Sequence, residues 1–132
     1  MHRSGFSLIE LVIVVAIMGL LGMVAIPSFS AIQNKTKNTT LKSTAHTLEM
    51  ALETYLLDNS DYPSGENITG AALGTTLIEA GLLSTMPKNP FTGNALSETD
   101  TKGSLDYSQT DSGYTLIIYG SDPDTPIETI VR

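Results

Sequence analysis

Few residues in this chain have both the type and the setting for chemistry. Glu10 is the first, as the only ionisable group in the apolar run from Leu8 to Ile26. A carboxylate in hydrocarbon costs on the order of 3 kcal/mol on insertion scales. It is kept there for a function, for a partner charge, or because it lies at headgroup level and stays wet. His46 is the second, since an imidazole can act as a general base or ligate a metal. It is the only histidine beyond the first five residues, and the chain has no cysteine, so no usual catalytic or ligating constellation forms around it. The chain shows no nucleophile and base pair, no metal-ligand cluster and no phosphate-binding loop.

The elements that must position these residues follow from pattern. At about 1.5 Å per residue, the run from Leu8 to Ile26 spans roughly 28 Å, enough to cross a bilayer core. Gly19, Gly22 and Pro27 weaken it, because glycine lacks side-chain restriction and proline removes an amide donor. The spacing predicts a kink or melted stretch there, close helix packing at the glycines, or a plain helix boundary at Pro27.

A second helical pattern is expected from Ser28 to about Asp58, with Leu41, Ala45, Leu48, Leu52 and Tyr55 forming one apolar stripe. Lys42, His46, Glu49 and Glu53 fall on another face and read as a solvated or subunit-facing surface. "DNSDYPSGEN" ends the helix in a variable connection. A short helix is expected from about Ala71 to Ala80, stopped by Gly81 and packed on a sheet edge. "MPKNPFTGNA" reads as a rigid loop. Strands are expected at 104–109, 114–120 and, weakly, 127–131, with "TDSG" joining the first two as a hairpin. The fold class is therefore α+β, a long N-terminal helix packed on a small antiparallel sheet.

Composition excludes several functions. The chain has 132 residues and a formal charge of -7, and its acids lie almost wholly beyond the apolar run. The soluble part is one small domain that repels nucleic acid and anionic lipid. A secretory signal fits the N-terminus poorly, because the run is too long and "PSFSAIQNK" offers a poor cleavage site. A plain single-pass anchor explains the length but neither Glu10 nor "SGFS".

"MHRSG" with Arg3, then "FSLIEL", a long apolar helix and Pro27 resemble the class III signal of type IV pilins and of the pseudopilins of type II secretion. "LDNSDYP", "MPKNPFTGNA" and "SGYTLIIYGSD" resemble the major pseudopilin more particularly, and the absence of cysteine leans toward a pseudopilin or a bridge-free pilin. The resemblance implies a pilin fold with a leader at 1–5, a membrane and polymerisation helix at 6–27 and a periplasmic domain at 28–132. It implies cutting after Gly5 by a prepilin peptidase and methylation of Phe6. Assembly would rest on Phe6, Glu10, Gly19, Gly22 and Pro27, with Glu10 meeting the new amine of a neighbouring subunit.

Opposite charges about 4 Å apart attract far more strongly in an apolar bundle than in water, although burying both costs desolvation. The resemblance also implies a non-enzymatic filament subunit anchored singly in the bacterial inner membrane, with minor pseudopilins and an inner-membrane assembly platform as partners. The alternatives are a type IV pilus subunit for adhesion, twitching or DNA uptake, and a membrane-tethered binding domain. Major pseudopilins often hold calcium after the last long strand. Here "GSDPDTPIET" places Asp122 and Asp124 there, with Ser121 or Thr125 and backbone oxygens, yet without the family's extra glycines and paired aspartates. The other reading is an acidic surface turn.

Overall fold

The computed structural model describes residues 5–132, apart from the side chains of residues 25–28. The leader residues 1–4 and the side chain of Pro27 thus lie outside the described residues. The chain divides into two compact units, the first ending at Gln33 and the second comprising Asn34–Arg132.

Helix α1 runs from Leu8 to Asn59 without interruption. The separate helix expected from Ser28 is thus the continuation of the first, and residues 27 and 28 are helical. A proline interior to a helix removes one amide donor, while the bonds on either side remain available to carry the helix through. The helix ends where Ser60, at φ 61°, enters the left-handed region and donates its N–H to the Leu56 carbonyl at 2.8 Å.

The second unit contains β1 (Ile68–Thr69), α2 (Gly70–Glu79), β2 (Leu105–Thr110), β3 (Gly113–Tyr119) and β4 (Pro126–Val131). The strands form one antiparallel meander in the order β1-β2-β3-β4. β1 is an element the sequence pattern did not announce. Its two residues pair with Asp106 and Tyr107, too short a segment for any period to register. Thr69 then caps α2 by accepting from the Ala72 N–H at 3.2 Å. Gly81, at φ 75°, stops that helix as expected. α2 sits against β1 and β2, and a side chain at Gly70 would meet Leu105 Cβ at 2.9 Å.

The apolar stripe of α1 is the core. Leu41, Ala45, Leu48 and Leu52 are fully buried with Leu73 and Leu77 of α2, Leu105 and Tyr107 of β2, and Tyr114, Leu116 and Ile118 of β3. Each leucine so buried contributes roughly 1.5–3 kcal/mol. Along β3 the residues alternate, Tyr114, Leu116 and Ile118 facing the helix and Thr115, Ile117 and Tyr119 half-exposed on the other face.

The "MPKNPFTGNA" loop is organised by Asn89, which is fully buried. Its Nδ2 donates to the Lys102 carbonyl at 2.7 Å and its Oδ1 accepts from the Phe91 N–H at 2.8 Å. Gly103 makes room for it, since a Cβ there would stand 2.3 Å from Oδ1.

Candidate functional site

The N-terminal segment is built by a helix start. Gly5, Phe6 and Ser7 precede α1 outside regular structure, and Phe6 is 85% exposed. The Ser7 N–H donates to Glu10 Oε2 at 2.9 Å, while the Ser7 carbonyl accepts the first helical bond from the Leu11 N–H at 3.3 Å. This is the carboxylate arm of a capping box: a residue three positions into the helix reaches back to the amide before its start. Glu10 therefore has a client within its own chain. The signal was legible, because Ser7 and Glu10 stand in the S-x-x-E spacing directly before an apolar run.

Beyond Glu10 the first unit offers its apolar surface outward. Leu8, Ile9, Leu11 to Val15, Ile17, Met18, Leu20, Leu21, Met23 and Val24 are all exposed. Among the described residues nothing lies within 4 Å of a Cβ placed at Gly19 or Gly22. By length and composition α1 is able to cross a membrane near the N-terminus.

In the second unit the face expected to be solvated is not uniformly so. Glu49 is 8% exposed. Its Oε1 accepts from Nε of Arg132 at 2.8 Å and from the second guanidinium nitrogen of the same residue, and its Oε2 lies 2.9 Å from His46 Nδ1. The hydrogen bond with His46, then those with Arg132 and the positive charge beside it, hold the Glu49 carboxyl below its usual range against the opposing effect of burial. Lys42 pairs with Glu128 of β4 at 3.4 Å. Two ion pairs thus bind β4 and the residue that follows it to α1, which the spacing of acids and bases along the helix alone did not disclose. Glu49 and burial together push the Tyr114 phenol up to about 12, burial being the larger cause.

His46 itself remains on the surface, with Glu49 as its neighbour. The Asp122 and Asp124 turn closes on itself, with the Asp124 N–H donating to Asp122 Oδ1 at 3.0 Å. That hydrogen bond, followed by one from Thr125, holds the Asp122 carboxyl below its ordinary value. Calcium ordinarily takes six to eight oxygens. Among the described residues no three acidic, imidazole or thiol side chains gather around one point.

Residues 1–26 match the family model described as the prokaryotic N-terminal methylation motif. The chain is 32% identical over 115 residues to the type II secretion system core protein G of Pseudomonas aeruginosa, covering 80% of each chain. It belongs to the family of type II secretion system core protein G. The core protein G of Vibrio cholerae is 32% identical over 114 residues, covering 79% of this chain and 77% of the relative. The type IV major pilin protein PilA of Myxococcus xanthus is 38% identical over 71 residues, covering 54% of this chain and 32% of that protein. No solved structure gives a significant match. Core protein G is the major pseudopilin, a structural family, and the α+β pilin fold expected from the sequence is the one observed. The exposed apolar helix and the helix-start carboxylate are the features of this chain that lie in the matched N-terminal segment.

Proposed function

We propose that this pseudopilin is made as a membrane-inserted precursor, cut between Gly5 and Phe6 by a prepilin peptidase, methylated at Phe6, and polymerised through its N-terminal helix into a pseudopilus that supports protein export. The observation that carries the reading is the segment 8–24. It is long, apolar and exposed, interrupted only by one carboxylate, and it begins directly after Gly5 and Phe6. Apolar surface of that extent is covered by lipid before assembly and by other copies after it. The soluble unit then lies on the periplasmic side, where minor pseudopilins and an inner-membrane assembly platform would meet it.

Cutting before Phe6 creates an amine beside the helix start. Glu10 uses Oε2 for the Ser7 N–H, and a carboxylate accepts several bonds, so Oε1 is free to take the amine of a neighbouring copy. Intact-mass measurement of the protein in sheared filaments tests the processing, the expected chain starting at methylated Phe6. Filament yield tests Glu10: Glu10→Ala should insert and be cut normally but assemble poorly. A filament protein retaining residues 1–5 refutes the reading. The resemblance to PilA favours a type IV pilus as the second reading. Deletion separates the two, through loss of secreted protein in one case and of surface pili in the other.

A further inference from the structure

Beside the C-terminal end of α1 lies a groove of about 520 Å³ lined by Glu49, Met50, Glu53, Tyr62 and Arg132. Arg132 neutralises Glu49. The Tyr62 hydroxyl donates to Glu53 at 3.2 Å but does not cancel its charge, so the groove carries one uncompensated negative charge, at Glu53.

The surrounding helix end is set against its own dipole. It has no basic residue in its last turn, while exposed Asp58 and Asp61 stand where the terminal carbonyls already concentrate partial negative charge. Met50 and Leu57, one heptad apart on the helix, are 65% and 82% exposed beside Glu53. A cation on an aliphatic stem would satisfy both features, its methylenes on the apolar side chains and its charge at the carboxylate.

The same helix carries such a group. Between residues 34 and 42 α1 holds Lys35, Lys37 and Lys42 and no acid, and from Glu49 onward it holds acids and no base. Lys37 lies over the Phe91 ring at 5.6 Å, and Lys42 pairs with Glu128. Lys35 is exposed, and among the described residues its ammonium has no partner. Lys35 and Glu53 are eighteen residues apart, which at 3.6 residues per turn is five whole turns. They share a face, with about 27 Å between them along the axis.

We propose that Lys35 of one copy docks in the Glu53 groove of a second copy displaced along the direction of α1. The proposal rests on the filament reading and adds to it a contact between soluble units. Its two halves lie at different levels of one helix, so the contact is head-to-tail, does not close, and repeats along a fibre. A single exposed ion pair contributes little. Every copy makes this one twice, however, and a slipped register sets lysines against lysines or carboxylates against carboxylates, so the contact selects register.

The natural absence of cysteine makes the test clean. In the full-length chain carrying Lys35→Cys and Glu53→Cys, the two thiols of one copy are too far apart to bond, since a disulfide needs Cα atoms within about 7 Å. A flexible bismaleimide cross-linker, long enough to span a lysine and glutamate in contact and too short to span the five helical turns within one copy, should therefore give a ladder of covalent multimers in sheared filaments, and each single-cysteine variant should give none. Lys35→Glu and Glu53→Lys should each lower filament yield about tenfold or more, as like charges now face each other, and the double reversal should restore it. Double-cysteine filaments that stay monomeric after cross-linking, or both single reversals assembling at wild-type yield, overturn the contact. A wild-type chain missing from sheared filaments overturns the filament reading itself.

Discussion

Replacing Asn89 by alanine should destabilise the soluble unit more than any surface change of equal size. The side chain is fully buried and makes two bonds to backbone, donating to the Lys102 carbonyl at 2.7 Å and accepting from the Phe91 N–H at 2.8 Å. Removing it leaves both groups short of a partner, at roughly 1–3 kcal/mol each where water cannot enter. Lys102 is an exposed residue, so its carbonyl should recover part of this from solvent, and the sum comes to about 2–4 kcal/mol. For a unit of this size each kcal/mol moves the melting temperature by about 4–8 °C, so a fall of roughly 15 °C is expected. The assay is thermal and urea unfolding of a fragment starting at Ser28, which contains the whole second compact unit. Asn59→Ala is the control, because Asn59 is exposed and bonds only to its own helix at 3.0 Å. A loss no larger than the control's would refute the reasoning and show that the loop is held by its prolines and turn bonds alone.

Glu49 should set part of the acid limit of stability. Its carboxyl is held below the ordinary value of 4.5 in the fold, so its contribution is complete above that pH and disappears as pH falls through the lower folded value. Urea midpoints measured from pH 7 down to pH 3 should fall more steeply for wild type than for Glu49→Gln. Gly113→Ala places a Cβ where the Arg132 carbonyl oxygen stands, 1.8 Å away. It should break the paired bonds between Tyr114 and Arg132 at 3.1 and 3.0 Å and lower the melting temperature by about 5–10 °C, with the last residues of β4 losing amide-exchange protection first. Equal melting temperatures in calcium, magnesium and chelator are expected if Asp122 and Asp124 form only an acidic surface turn, two carboxylates alone falling short of the oxygens calcium takes. A rise with calcium alone would show that other oxygens complete the shell.

Much of this protein was determined by its sequence alone, and for local reasons. The stripe from Leu41 to Tyr55 is set by the helical period, since only residues three or four apart share a face; Leu41, Ala45, Leu48 and Leu52 are fully buried and Tyr55, at its end, partly so. α2 falls within a residue of its expected bounds because a threonine cap and a glycine stop are local devices. The "TDSG" hairpin likewise depends only on residues adjacent in the chain. The apolar run, its single carboxylate and the glycine before Phe6 carried the family, and they needed no fold to be read.

The tertiary structure decided whatever depends on residues far apart in sequence. Glu49 looked like a surface acid, but Arg132, eighty-three positions later, makes it a nearly buried anchor. Asn89 looked like one polar residue among turn formers until Lys102 and Gly103 closed over it. β1 exists only because β2 passes beside two residues that have no strand period of their own. Propensity and periodicity act over a few residues, whereas burial of a charge or an amide depends on which distant segment arrives to cover it, and that is settled only when the helix and sheet pack.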